Sequence, residues 1–341
     1  MKQINVGIDI GYSNTKIAYG DGAYPHVKVI PSGVGPVEAY SEEPGLGIED
    51  KAGADIVEIN GRRYVAGVEQ SHLRTKRNRH SDYPSSEEYL ALYYRALRLL
   101  PGTNIDTIIT GVPVEQHRDS KFCERLVARL RGRHVIKSNL TVFIEDVIVI
   151  PQPVGAYADA GVQMLEESDR EIVREGRTLV VDPGFYSTDW AMFYQGRLVR
   201  SASGSNNCAM GLVLEGAVRR IEQQLGNKVR IERIEQALRR GARTILFRGK
   251  HLDFAPYLDS ALKEVNRENA TDLLNATNLE QEQIDLVIIA GGGAEYFRVV
   301  VSQALPGCRV VLPPRPVAAN VRGYWYLARA RQMASATVTV R

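Results

Sequence analysis

Two short stretches of this chain read almost alike: DIGYSNTKIAY from Asp9 to Tyr19 and DPGFYSTDWAM from Asp182 to Met192. Five positions recur in step, at Asp9 and Asp182, Gly11 and Gly184, Tyr12 and Phe185, Thr15 and Thr188, and Ala18 and Ala191. Each aspartate closes an apolar, β-rich run, so each stretch predicts a buried strand, a tight glycine turn and a returning strand. Used once, such a turn is a hairpin corner. Used twice in the same register, it constrains the chain to two related α/β halves. The 341 residues exceed what one core usually organises, roughly 250–300, so one copy is expected in each of two domains.

The rest of the chain follows the same plan. Residues 31–53 are crowded with proline, glycine and acidic residues and read as an irregular excursion, while Asn60-Gly61 between two alternating runs predicts a hairpin turn. Ser85 and Glu88 form a capping-box pattern that opens a helix through EEYLALYYRALRLL. A strand over 106–112, a basic amphipathic helix over 115–131 and two strands within 133–150 follow. From Thr178 the order repeats: strand, DPG turn, strand to Tyr194, a turn at Gln195-Gly196, strand to Ala202, then helices. Leu286 to Ala290 predicts a buried strand that runs into Gly291, Gly292 and Gly293, with helices over 295–305 and 318–333.

Charge excludes some functions. The chain carries 43 basic and 40 acidic residues, a net of +3, too weak a field to indicate nucleic-acid binding. Two stretches are locally basic, HLRTKRNRH (His72–His80) and RRGARTILFRGKH (Arg239–His251); the first reads either as a solvated loop or as a contact with phosphate, DNA or a neighbouring subunit, and the second as a candidate surface for contact with a neighbouring subunit. The three cysteines, Cys123, Cys208 and Cys308, lack disulfide or metal spacing and suit a reducing compartment. No apolar run is long enough to span a bilayer and the first residues show no signal-peptide pattern, so the expected location is cytoplasmic.

A turn whose backbone N–H groups converge can hold a phosphate chain without side-chain bulk, and Gly11 and Gly184 allow close approach. The first loop adds Tyr12, Ser13, Asn14, Thr15 and Lys16; the second adds Tyr186, Ser187 and Thr188. Asp9 and Asp182, at facing strand ends, form a carboxylate pair of the number Mg²⁺ usually takes beside substrate phosphates and water. The third element, VIIAGGGAEYF, has neither P-loop nor Rossmann glycine spacing; it reads as a backbone contact for a nucleoside or as a packing device. Two crossings between the halves, IPQPVGAYADAG (Ile150–Gly161) and PRPVAANVRGYWYLA (Pro314–Ala328), read as a natural hinge or as simple interdomain linkage.

These five elements, in order and over nearly the whole chain, resemble the actin-like ATPases, a superfamily that includes chaperone ATPases and sugar kinases. DIGYSNTK, PQPVGAYA, DPGFYSTD, IIAGGGAEYF and AANVRGYWYLA resemble its first phosphate loop, first connecting segment, second phosphate loop, adenosine motif and second connecting segment. The ending and the direct start are most similar to the ParM or StbA group of bacterial plasmid-segregation actins. The resemblance implies an actin-like, ribonuclease H-like duplicated fold with two domains around a nucleotide cleft. Residues 1–157 and 318–341 would form the first domain, with a subdomain inserted at about 31–100, and residues 158–317 the second.

What the resemblance implies about activity is ATP hydrolysis with Mg²⁺, GTP being left open, coupled to head-to-tail assembly into a filament. Such a filament meets plasmid DNA through an adaptor at a centromere-like site, without direct DNA or membrane binding. Asp9 and Asp182 match its magnesium-organising aspartates; Gly11, Asn14, Thr15 and Lys16 its first phosphate loop; Gly291 to Gly293 its nucleoside contact. Gln152 falls where actin has a water-positioning glutamine. The second loop departs from the commoner D-x-G-G-x-T, because Phe185 replaces a glycine and Pro183 precedes Gly184.

Orienting a water in line with the γ-phosphate needs no strong base, so a neutral Gln152 suits slow hydrolysis. Two alternatives share the superfold: a small-molecule kinase and a non-polymerising chaperone-type ATPase. A kinase needs a carboxylate facing an acceptor hydroxyl, for which Asp159 and Asp189 are the candidates. A chaperone-type ATPase needs a substrate-binding domain, which is not expected after the fifth element.

Overall fold

In a computed structural model of the chain, residues 4–40, 56–75, 77, 80, 82–163, 166–278 and 284–339 are described. The fully buried run NVGIDI forms β1 (Asn5–Ile10), and the chain returns along β2 (Asn14–Tyr19) and β3 (His26–Pro31). A small appended sheet follows, built from β4 (Gly33–Pro36), β5 (Ile56–Ile59) and β6 (Arg62–Val68) and packed against α1 (Glu87–Leu97). Then come β7 (Asn104–Val112), the short α2 (Val114–His117), α3 (Ser120–Leu130), β8 (Gly132–Lys137) and β9 (Leu140–Pro151).

The second half begins with α4 (Gln152–Gln163) and α5 (Glu167–Glu175) and continues through β10 (Arg177–Pro183), β11 (Thr188–Tyr194) and β12 (Arg197–Asn206). Next are α6 (Met210–Leu225), α7 (Ile231–Arg239), the hairpin of β13 (Thr244–Phe247) with β14 (Lys250–Asp253), and α8 (Ala255–Asn278). The half closes with β15 (Leu286–Ile289), α9 (Ala294–Ala304), β16 (Arg309–Val311) and α10 (Ala319–Thr339).

The duplication read from two loops extends to both main sheets. Their strand orders are β3-β2-β1-β7-β9-β8 and β12-β11-β10-β15-β16. In each, the first two pairings are antiparallel and the next two are parallel. This is the duplicated actin-like architecture. Connections through helices make the parallel pairings possible, because a parallel neighbour needs a crossover.

The crossing helices exchange partners. The first, α4, places Ala156 and Ala160 among Val180, Ala191 and Ile288 of the second sheet. The other, α10, places Val321, Tyr324 and Trp325 among Ala18 and Ile109 of the first. They meet at glycines: a Cβ on Gly323 would fall on the Gly155 carbonyl oxygen, and one on Gly155 would meet the Asn320 carbonyl oxygen and the Tyr324 ring. Arg322 and Asp159 join the same helices through a buried two-pronged pair at 2.8 and 2.5 Å. The crossing is therefore closely packed.

Several expectations change. Within 31–53, Gly33–Pro36 is a strand paired with β6, and the segment from 41 onward lies outside the described residues. The cap of α1 is Ser86 and not Ser85: its hydroxyl oxygen accepts the Tyr89 N–H at 3.1 Å, while Ser85 belongs to a preceding 3₁₀ turn. The helix expected over 115–131 is broken, because the Asp119 carboxylate caps a new start by accepting the Phe122 N–H at 3.0 Å. The turns at Asn60-Gly61 and Gln195-Gly196 have positive φ at both residues, 51° and 77°, and 48° and 75°, as two-residue hairpin turns require. The three cysteines are half-buried free thiols.

Candidate functional site

Both aspartyl loops close with the same bond. The Gly11 N–H donates to the Asn14 carbonyl at 3.1 Å and the Gly184 N–H to the Ser187 carbonyl at 2.9 Å. A Cβ would stand 3.2 Å from that acceptor at Gly11 and 2.9 Å at Gly184, so a side chain would press against the turn. The loops face one cavity of about 220 Å³ lined from both halves. Asp9, Gly11, Tyr12, Ser13, Asn14, Lys16 and Gln152 contribute from one side; Asp182, Gly184, Ser187, Gly291 and Gly292 contribute from the other.

Asp9 and Asp182 are both buried, 1% and 5% exposed. Asp9 accepts from Lys16 Nζ at 2.8 Å and from Gln152 Nε2 at 3.3 Å. Asp182 accepts from Asn320 Nδ2 at 2.6 Å. Burial first, and then the neighbouring Asp189, pushes the Asp182 carboxyl up to about 7; Lys16 and the Asn320 hydrogen bond oppose this, and Asp9 adds to it. Among the described residues no group of three or more His, Cys, Asp or Glu is placed to hold a metal. A buried carboxylate pair on one cavity, with Lys16 bonded to Asp9, still fits a hydrated Mg²⁺ beside phosphates, since two carboxylates suffice there.

The comparisons with known proteins agree with this architecture. Residues 7–155 match the family described as the N-terminal domain of actin-like proteins, and residues 180–302 match that described as archaeal actin homologue MreB-like, C-terminal. The chain belongs to the actin-like proteins. A ParM of a 15-stranded filament from Clostridium botulinum superposes with a TM-score of 0.74 at 20% identity, covering 97% of this chain and 100% of that one. The archaeal actin homologue Ta0583 in complex with ADP gives 0.73 at 18% identity, covering 96% and 100%. A non-polymerisable quadruple mutant of pCBH ParM gives 0.75 at 19% identity, with the same coverage. At such identities the likeness is one of fold. No curated protein matches the sequence.

Three expected site residues of this actin-like chain do not line the cavity. Thr15 is fully buried, its hydroxyl 2.8 Å from that of Ser32. Thr188 donates its hydroxyl to the Cys208 carbonyl at 2.7 Å. Gly293 gives its N–H to the Pro183 carbonyl at 2.9 Å and starts α9. Alternation explains the two threonines, because successive strand residues face opposite sides and the neighbours Asn14 and Ser187 take the cleft side. Gly291 has a second task. With φ of +77° its missing side chain leaves room for Asp182 Oδ1, on which a Cβ would fall.

The candidate bases are both committed elsewhere. Asp159 is fully buried against Arg322. Asp189 accepts the Val114 N–H at 2.8 Å, the Ser187 hydroxyl at 2.7 Å and the Ser205 hydroxyl. Neither carboxylate lines the cavity.

Sequence reading missed a charged clasp across the cleft mouth. Arg77, from the first basic stretch, is not solvated: it pairs with Glu235 at 2.9 Å, each side chain 7% exposed, and lies 4.5 Å over the Phe185 ring. Glu235 also accepts the Ser13 hydroxyl at 2.6 Å and pairs with Arg239 at 3.0 Å, while Arg239 donates to the Ser13 carbonyl at 3.1 Å. Tyr12 stacks between Tyr83 and Tyr186, each centroid 4.7 Å away. Glu235 and Arg239 sit one turn apart on α7, a spacing visible in the sequence, yet nothing local tied them to a loop so distant along the chain. Lys76, Asn78 and Arg79 lie outside the described residues.

Proposed function

We propose that this actin-like chain binds Mg-ATP between its lobes, hydrolyses it slowly, and assembles head to tail into filaments that move plasmid DNA through an adaptor. The lobes divide near residues 157 and 318, inside the crossing segments. One observation carries the reading: two hairpins with the same turn bond converge on one cavity, each presenting a buried aspartate. Filament formation is what the Clostridium botulinum ParM does by its description, and ADP is what the archaeal homologue holds; both are extended here to this chain.

Asp9 and Asp182 would hold Mg²⁺, which when bound offsets phosphate charge. Lys16 and the polar side chains of Ser13 and Asn14 bind and orient the phosphates from the first loop. Gln152, whose amide already lies against Asp9, orients a water toward the γ-phosphate; hydrolysis depends mainly on such alignment. The cavity is smaller than the roughly 300–1,000 Å³ usual for ligand sites, so nucleotide uptake parts the lobes at the glycine crossing and loosens the Arg77–Glu235 clasp. Removal of the γ-phosphate releases the pinch between the two loops, opens the hinge and weakens subunit contacts. A head-to-tail contact whose rotation does not close generates an open filament from one chain. The commitment of Asp159 and Asp189 counts against the kinase alternative.

Pelleting and light scattering of the purified chain with Mg-ATP and with Mg-ADP test the reading. Assembly that needs Mg-ATP and decays as phosphate is released is expected. Hydrolysis without assembly at any concentration would defeat the filament proposal and favour a chaperone-type ATPase.

A further inference from the structure

Each cleft carboxylate is held by a side-chain amide from the start of a crossing helix. Gln152 opens α4 and donates to Asp9 at 3.3 Å; Asn320 is the second residue of α10 and donates to Asp182 at 2.6 Å. Both precede by three residues the glycine at which the helices touch, Gly155 in one case and Gly323 in the other. The sequence conceals this correspondence. Its matching P-x-P-V tetrapeptides set Arg315, not Asn320, opposite Gln152, whereas Arg315 occupies a turn ahead of the helix with φ of 49°.

We propose that Asn320 is a positioning residue for the second cleft carboxylate, the counterpart of Gln152 in the first half, and that it ties the orientation of Asp182 to the helix crossing. Asn320 is 4% exposed, and its Oδ1 has no hydrogen-bond partner among the described residues. A side chain kept only to fill space would not strand a polar atom in the interior. Asp182 is confined on both sides: Oδ2 accepts from the Asn320 amide, and Oδ1 occupies the space that a Cβ on Gly291 would fill. The Asn320 carbonyl oxygen lies where a Cβ on Gly155 would fall, so this residue sits at the pivot. Any change in the crossing moves the amide, and the amide carries the carboxylate.

The proposal rests on the nucleotide reading of the cleft, and its test separates the two. Asn320→Leu keeps the volume and removes the donor, Asn320→Ser keeps a donor, and Asn320→Ala removes both volume and donor. Affinity for a fluorescent ATP analogue is measured in Mg²⁺ and in EDTA, with kcat and KM for ATP and a thermal melt to establish folding. Asn320→Leu is expected to lose about tenfold of the Mg²⁺-dependent gain in affinity, with KM for Mg-ATP raised to match because hydrolysis is slow, and about tenfold in kcat, the scale on which residues behind a metal ligand act. Asn320→Ser is expected to retain most of both. Wild-type behaviour in Asn320→Leu, with a defect only in Asn320→Ala, would make the role one of packing and overturn the proposal. If Asn320→Leu does not fold, the Ser and Ala variants, close in volume, decide by the same criterion. A wild-type chain that binds no nucleotide would overturn the nucleotide reading itself, and this proposal with it.

Discussion

Directly across the hairpin from the aspartate, the first loop carries Lys16 and the second carries Asp189. Lys16 reaches Asp9 at 2.8 Å. Asp189 instead sets a second anion beside Asp182, and burial together with that anion raises the Asp182 carboxyl to about 7. Asp189 spends its own acceptors on Ser187, Ser205 and the Val114 N–H of the opposite half. The duplication has thus kept the backbone and reassigned the charges. One hairpin is neutralised internally; the other is short of a cation and tied across the cleft.

The largest expected effect tests that division. Asp182→Ala should lower ATP hydrolysis by at least about 100-fold, the scale of removing a group that stabilises transition-state charge, while affinity for nucleotide in EDTA changes little. Turnover at the wild-type rate would remove Asp182 from its assigned role. On the first hairpin, Gln152→Ala should slow hydrolysis roughly 10- to 100-fold, as misplacement of a reacting group does. Single-turnover rates compared with binding affinities check this, since an equal loss in both would make Gln152 a binding residue.

Much of this comparison was legible beforehand because it is periodic. The aspartates, the glycines and the strand-turn-strand pattern lie within eleven-residue windows, and the structure places both hairpins on one cavity. What the windows concealed was set by partners far along the chain. Thr15 and Thr188 align perfectly yet turn inward, because alignment reports register and not which face of a strand meets the cleft. Arg77 reads as one charge in a basic run, but Glu235 draws it into the interior. The broken helix was in principle readable, since Asp119 followed by Ser120 is an ordinary cap.

Between the hairpins, the comparison extends to the helices, whose contact leaves no room for a methyl group. Gly323→Ala would set a Cβ on the Gly155 carbonyl oxygen, and overpacking of this kind costs about 1–3 kcal/mol. Denaturant unfolding should report a loss of that size, with hydrolysis altered as well because the crossing helices carry Gln152 and Asn320. A fully stable Gly323→Ala chain would show that the helices separate freely and would remove the close-packed pivot.

The smallest expected effect isolates the missing cation of the second hairpin. An ordinary aspartate in the unfolded chain titrates near 3.8, and Asp182 in the folded chain near 7, so the folded state holds this proton more tightly. Its contribution to stability is fully present below the unfolded value and is lost as pH rises from about 4 through about 7. Asp182→Asn carries no such titration and keeps an oxygen for the Asn320 amide. Without nucleotide, the melting temperature of Asp182→Asn relative to wild type should therefore climb between pH 5 and pH 8, by a few degrees on the scale of roughly 2–4 °C per kcal/mol. Asp189, also raised by burial, gives both chains a dependence of the same sign, and because its charge acts on Asp182 the difference reports the titration of the pair. Mg-ADP should shrink the gap, because a bound cation favours the ionised carboxylate that the asparagine lacks. A difference that is the same at pH 5 and pH 8 would mean that Asp182 is already neutralised within the fold, and the two hairpins would then not differ in charge as described.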